Sequence, residues 1–521
     1  MLKISNLTYS IIALSIGAII LLGVVACGNN GPIAPDSNLN PSPDPVSPDM
    51  PLFIDDRTIP NPDETADTLD PQDTVDEIEP VEDIGAETIQ DLAVILFHLQ
   101  ESGGGVLSVP MEPDRFAIHL WDPDTFVNLQ GEVVVVSTGL PTALVTVNGY
   151  QLFQNVAFPI SVTVKCDGYA MTSIVDTSAN VLSFPMRSTG QPEKATVFGI
   201  AKNFGFDTLQ VYSDTLMPFV SMEQPSEVNP EYTRFELDVD AGKINGFSAF
   251  LTGCIQNGTI STTDISSPDG YFWVTSHFEW SIPSMKPGTR RFYPITFKSK
   301  SGPDGVAQGK ANIPAEYWVS DVVNHGTIAA IPTAIFLQDR RYLPIGPYSP
   351  FTGNEASELS YEIPYFNPVG APDRIVMAGH MVLPTGEINI VHRDWHPGYD
   401  PDILNFSGVP SINMYGGPGE GWSYPAFSWT DPIGANSTLT RIDMIGGNGA
   451  WRIITAGNGS VLDTSNLDIP LSWFPEIFGY AKPRYRVECI HADGSDIDDF
   501  NDDRLIMMRR EASCSVWSFS G

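Results

Sequence analysis

Beyond Val106 the chain never sustains a helical period. Short runs rich in Val, Ile, Thr, Phe and Tyr, such as Ile160-Ser161-Val162-Thr163-Val164 and Tyr271-Phe272-Trp273-Val274-Thr275, are cut by Pro and Gly at intervals of about ten residues. A chain so punctuated cannot build helical layers, and its runs are the length of single strands. The pattern predicts an all-β fold of tandem β-sandwiches. Length allows about three to four such units, and a hydrophobic fraction of 42% supplies several cores.

The first ninety residues follow a different logic. Lys3 precedes a stretch from Ile11 to Ala26 that is almost free of polar groups. As a helix that stretch is roughly 24 Å long, short of the ~30 Å hydrocarbon core, and no basic stop-transfer cluster follows. It reads as a secretion signal, residues 1–26. Val24-Val25-Ala26-Cys27 resembles the lipobox of bacterial lipoproteins. The resemblance implies cleavage before Cys27, a diacylglycerol on its sulfur and an acylated amino group, hence a firm membrane anchor. Gly28 is not the aspartate that marks inner-membrane retention in that family, so an outer membrane or cell surface is the implied location. An ordinary cleaved signal or a retained anchor helix are the alternatives to lipidation.

Residues 27–85 carry repeated Pro and Asp, as in Pro41-Ser42-Pro43-Asp44-Pro45, with Arg57 the one basic residue between Gly28 and Pro80. Self-repulsion and missing apolar periodicity predict a disordered acidic Pro-rich tether, roughly 40 Å long as a coil and about 150 Å if drawn out. The formal charge of −36 makes nucleic acid and anionic lipid surfaces poor partners, since both need basic residues to neutralise phosphate. Membrane attachment is expected through the lipid alone.

Residues 86–193 open on Ile89–Leu99, whose apolar spacing fits both a helical face and a buried strand. The strands at 143–149, 159–169 and 181–186, with Thr163-Val164 leading to Gly168-Tyr169, resemble the carboxypeptidase-regulatory-like sandwich, which implies a supporting, non-catalytic module. Residues 194–405 are β-rich, one or two domains, with candidate borders at 302–305 and 347–353. Residues 406–521 place Phe427 and Trp429 on one strand face and Tyr485 on a later strand. This resembles a fibronectin type III or immunoglobulin-like sandwich, in which such a Trp and Tyr pack into the core.

Four constellations could carry chemistry. A hairpin around Pro384-Thr385-Gly386 pairs His380 with Ile390 and sets His380, His392 and Asp394 on one face, a candidate metal trio, with His396 too far along to join. Asp496, Asp498 and Asp502 lie in an acidic turn that offers calcium its hard oxygen ligands, though without EF-hand spacing. Cys489 and Cys514 are the candidate disulfide, which needs a bend or a cross-sheet contact, because a symmetric hairpin would put Cys489 beside Met507. Trp395, Tyr399, Trp422 and Tyr424 sit near Gly and Pro, where aromatic rings can stack on sugars. The loop Gly416-Gly417-Pro418-Gly419 lacks the strand-to-helix setting of a nucleotide site, and no nucleophile elbow or HExxH motif is present.

No catalytic residue is singled out. The expected function is a lipid-anchored extracytoplasmic, non-enzymatic binding or structural protein, its partner a glycan or an envelope protein and calcium its one candidate cofactor. The alternative is a secreted polysaccharide-directed hydrolase with its carboxylates in the middle region.

Overall fold

A computed structural model describes residues between Leu92 and Phe519: 103–189, 371–417, 422–479 and 482–519 almost throughout, and 194–367 as strands with gaps between them. The signal segment, Cys27 and the tether lie outside the described residues.

The fold is nearly all β, built as packed sandwich layers. Its largest sheet among the described residues has fourteen strands. Twelve follow one another across it: Arg341–Pro344, Thr327–Phe336, Arg374–Val382, Ile388–Asp394, Arg509–Cys514, Arg484–Ala492, Leu439–Ile445, Ala450–Ala456, Met171–Thr177, Ile160–Lys165, Gln130–Ser137 and Ala143–Asn148. The early and late segments therefore share a sheet. They meet where Met171–Thr177 runs parallel to Ala450–Ala456, Trp451 opposite Met171 and Ile454 opposite Ile174. At this junction the fully buried Trp451 donates from Nε1 to Ser173 Oγ at 2.8 Å.

Sharing follows from the sequence of the strands. Val133-Val134-Val135 is apolar on both parities, so the strand needs cover on both faces. On one face Val133, Val135, Ile454 and Ile490 pack under a five-stranded sheet made of Phe500–Asn501, Gly105–Leu107, Val181–Pro185, Phe116–Trp121 and Tyr150–Phe153. On the other, Val134, Ile442, Ile453 and Val487 pack against Ile412–Tyr415, Ala426–Trp429, Val461–Asp463 and the helix Trp473–Phe478. A third small sheet, Glu358–Tyr365, Gly305–Asn312 and Leu404–Asn405, covers Met377, Met381 and Val391.

The ambiguous stretch before the sandwich is helical at Leu92, Leu96 and Leu99, which bury against Ala117 and Val181. Their spacing of four and three residues puts all three on one helical face. Gly105 has φ +137° and runs so close to Phe500–Asn501 that a Cβ would lie 2.0 Å from the Phe500 carbonyl oxygen. Only glycine permits that pairing.

Candidate functional site

The shared sheet changes character along its strands. Leu439, Ile454 and Ile490 belong to the sandwich core, and the next residues on the same face are Arg441 and Asp443, Arg452, and Glu488 and Arg486. Strand alternation explains this: every second residue faces the same side, and charges replace aliphatics where the covering sheet ends. Register then pairs opposite charges across strands, Arg441 with Glu488 and Asp443 with both Arg486 and Arg452.

Asp443 is the hub of this cluster. Its Oδ1 accepts from Arg452 Nε at 3.1 Å, and its Oδ2 accepts from Arg486 Nε and Nη2 at 3.3 and 3.2 Å and lies 3.4 Å from Arg441 Nε. Burial alone would raise the Asp443 pKa, but Arg441, Arg452 and Arg486 outweigh it and hold the carboxyl well below its usual range. Arg441 also bridges to Glu488 through Nη2. Glu488 is 2% exposed, and its Oε1 meets Arg509 Nη2 at 3.4 Å. Here too burial raises and the arginines lower, with the net shift downward.

Arg509 reaches this face through a bulge. Between His491 and Ala492 the register slips, so that Ala492 faces Arg509 whereas His491 faces Glu511. The slip turns the Arg509 guanidinium toward Glu488 and toward His380 and His392.

The hairpin holding those histidines has the expected register, with His380 opposite Ile390 and Leu383 N–H bonded to the Glu387 carbonyl at 2.9 Å. Both imidazoles are buried on one face, 5% and 3% exposed. Burial and then the charge of Arg509 push His380 down to about 4 and His392 well below its ordinary value. The trio His380, His392 and Asp394 is not gathered as metal ligands. Asp394 lies at the strand end, bound by Arg374 Nε and, at 2.6 Å, by Arg510 Nη1; Arg509 acts on both histidines and Arg374 also on His392. Among the described residues no three His, Cys, Asp or Glu side chains come close enough to hold a metal ion.

In the acidic turn the carboxylates accept hydrogen bonds from the protein's own donors. Asp496 Oδ1 accepts from the amides of Asp498 and Asp499 at 2.8 and 2.9 Å. Asp498 Oδ1 accepts from Ser178 N at 2.5 Å and Thr177 Oγ1 at 2.9 Å, fastening the turn to the end of Met171–Thr177. Asp499 pairs with Arg504 at 3.1 Å. Asp502 begins the short helix Asp502–Met507, and its side chain is outside the described residues.

Cys489 and Cys514 are not joined. Cys489 stands opposite Ser513 and Cys514 opposite Glu488, so the neighbouring thiols point to opposite faces and both are free. The strand Phe500–Asn501 and the helix Asp502–Met507 occupy the connection, which moves the pairing away from a symmetric hairpin. Of the aromatics, Trp395 donates from Nε1 to the Tyr399 carbonyl, Trp422 lies on Phe474, and Tyr424 donates to the Ile469 carbonyl. Tyr399 is 75% exposed.

Where the shared sheet and the five-stranded sheet part, a cleft of about 160 Å³ opens, lined by Asp443, Arg452, Arg486, Arg187 and Trp517 over Ile445 and Ile454. Arg486 lies over the Trp517 ring at 4.7 Å and Arg484 at 5.7 Å. This cleft is invisible in sequence. The one signal was the shared parity of Arg441 and Asp443 with Arg484, Arg486 and Glu488 in two strands whose pairing had to be known first.

No protein-family model and no curated protein matches the chain. Among solved structures it is similar to a glycoside hydrolase family 15 glucoamylase from Hypocrea jecorina, with 8% identity over 23% of this chain and 20% of that one and a TM-score of 0.15. A DUF3823 family protein from Bacteroides ovatus matches at 12% identity over 42% of this chain and 99% of that one, TM-score 0.16. The Bacillus anthracis TIE protein matches at 13% over 57% and 50%, TM-score 0.13. The chain thus spans about a fifth of the glucoamylase, and scores this low carry no argument about function.

Proposed function

We propose that the chain is a lipid-anchored, extracytoplasmic, non-enzymatic binding or structural protein that presents a β-sandwich body from the cell envelope. The observation that carries this reading is the apolar run ending in Val24-Val25-Ala26-Cys27, followed at once by an acidic Pro-rich stretch. The first gives attachment and the second gives reach. The outer segments are read as carboxypeptidase-regulatory-like and fibronectin type III-like modules; Phe427 against Tyr485, ring centroids 6.2 Å apart, supports the latter.

Four of the described carboxylates are held as anions and not poised as general acids. A general acid at neutral pH needs a raised pKa, whereas the displaced carboxylates among the described residues, Asp394, Asp443, Asp463 and Glu488, are all shifted downward. Paired to arginine or to backbone donors, they are poor proton donors.

The test is metabolic labelling with a fatty-acid analogue in a bacterial host, followed by fractionation of the native chain and Cys27→Ser. The native chain is expected to be labelled and membrane-bound, and the variant unlabelled. An unlabelled native chain refutes the anchor.

A further inference from the structure

We infer that the edge strand Ala143–Asn148 pairs antiparallel with the same strand of a second copy of this chain, about a two-fold axis between the two Thr146 residues. The inference goes beyond the role proposed above and does not depend on the lipid anchor.

The edge is open in a defined direction. Ala143–Asn148 ends the fourteen-stranded sheet, and among the described residues only Gln130–Ser137 pairs with it. Val147 stands opposite Gly131, and two residues on the Gly149 N–H donates to the Leu129 carbonyl at 2.8 Å. Bonded and non-bonded pairs alternate along an antiparallel ladder, so Ala143, Val145 and Val147 bond inward. Leu144, Thr146 and Asn148 therefore turn their N–H and C=O groups away from the sheet, and all three residues are exposed.

Such an edge is ordinarily blunted by a charge, a proline or a bulge. The opposite edge of the same sheet, Arg341–Pro344, carries an arginine and a proline. Ala143–Asn148 carries neither, its register runs without a bulge, and Leu144 is 55% exposed.

Charge selects the occupant. With 27 Lys and Arg against 63 Asp and Glu, two copies repel over most of their surface. From Val133 to Val164, however, the sequence holds no Asp, Glu, Lys or Arg. That stretch supplies this strand and also Tyr150–Phe153, the edge of the five-stranded layer. Glu132, opposite Thr146, is paired with Lys165 at 3.5 Å. A basic partner would be drawn to the acidic surface, whereas this neutral edge lets like-charged copies meet.

The strand also complements itself. With Thr146 facing its own copy, Leu144 faces Asn148 of the second copy, and every outward N–H meets an outward C=O. On the other face Val145 meets Val147, a β-branched pair.

The experiment is sedimentation equilibrium of the full-length chain in non-ionic detergent at about 50 and 500 mM salt, with Thr146→Pro, Leu144→Lys and Thr146→Cys. A dimer is expected that tightens at the higher salt, as screening of the net charge requires. Thr146→Pro removes an outward N–H without an inward bond and should weaken the dimer about tenfold or more, as should Leu144→Lys; circular dichroism checks that both are folded. Mild oxidation should cross-link Thr146→Cys as a dimer, and neither the native chain nor Thr385→Cys at the exposed hairpin tip. The inference is overturned by a native monomer, by a folded Thr146→Pro or Leu144→Lys that dimerises unchanged, or by Thr146→Cys cross-linking no faster than Thr385→Cys.

Discussion

Acid is expected to destabilise this protein through His380 well before its carboxylates titrate. The ring is buried, and burial together with Arg509 sets its pKa at about 4 in the folded chain against about 6.5 in an unfolded one. Between those values the unfolded state binds the proton and the folded state refuses it, so stability falls as pH falls. The loss from this one group is about 2 kcal/mol at pH 5 and levels at about 3 kcal/mol below pH 4. His392, shifted the same way for the same reasons, adds to it. Asp443 and Glu488 have lowered values, so their contribution is complete above the unfolded carboxylate range near pH 4 and is lost only below it. The window from pH 7 to 5 therefore isolates the histidines. Urea unfolding of full-length protein in non-ionic detergent, followed by tryptophan fluorescence at pH 7, 6 and 5, measures the effect. In His380→Leu the fall between pH 7 and 5 should be about 2 kcal/mol smaller. Equal pH dependence in the two proteins would refute the buried neutral imidazole.

The ion network gives a second expectation. Glu488→Leu leaves the 3%-exposed Arg509 without its carboxylate and should cost about 3–5 kcal/mol, much of it recovered in Glu488→Leu with Arg509→Met, both read by urea unfolding. Ser173→Ala removes the acceptor of the Trp451 indole and the partner of the Thr163 hydroxyl, and should cost about 1–3 kcal/mol in the same assay. Cys489 and Cys514 should resist Ellman's reagent in the native state and react in guanidinium, because burial pushes Cys514 up to about 12 and Cys489 up further. A disulfide-linked peptide by mass spectrometry would contradict their opposed placement.

How far the sequence speaks varies with the range of the interaction. Alternation and punctuation are local, and they led to strands, to an all-β sandwich architecture and to the Pro384-Thr385-Gly386 hairpin with its register. The helical reading of Leu92, Leu96 and Leu99 was present as one of two options, and burial against Ala117 decided it. What could not be read is set by pairings between distant segments. The parallel contact of Met171–Thr177 with Ala450–Ala456 has no local signature. The same holds for the bulge at His491/Ala492, which sets Arg509 opposite Ala492. Asp394 and Asp496 looked like ligands because a carboxylate's partner is chosen in space. Arg510 and the amides of Asp498 and Asp499 were the nearer claimants.

The seam between Met171 and Trp451 also dictates a schedule. A strand whose lateral partner lies 280 residues downstream cannot complete its hydrogen bonds while the chain is still being made. Gly105–Leu107 waits longer still, for Phe500–Asn501. Loop closure over such spans is slow, so one face of the early valine strands, that of Val134, stays uncovered until the C-terminal strands arrive. Under the export proposed above, this delay would hold the body open until its late strands follow, since those strands lock its first.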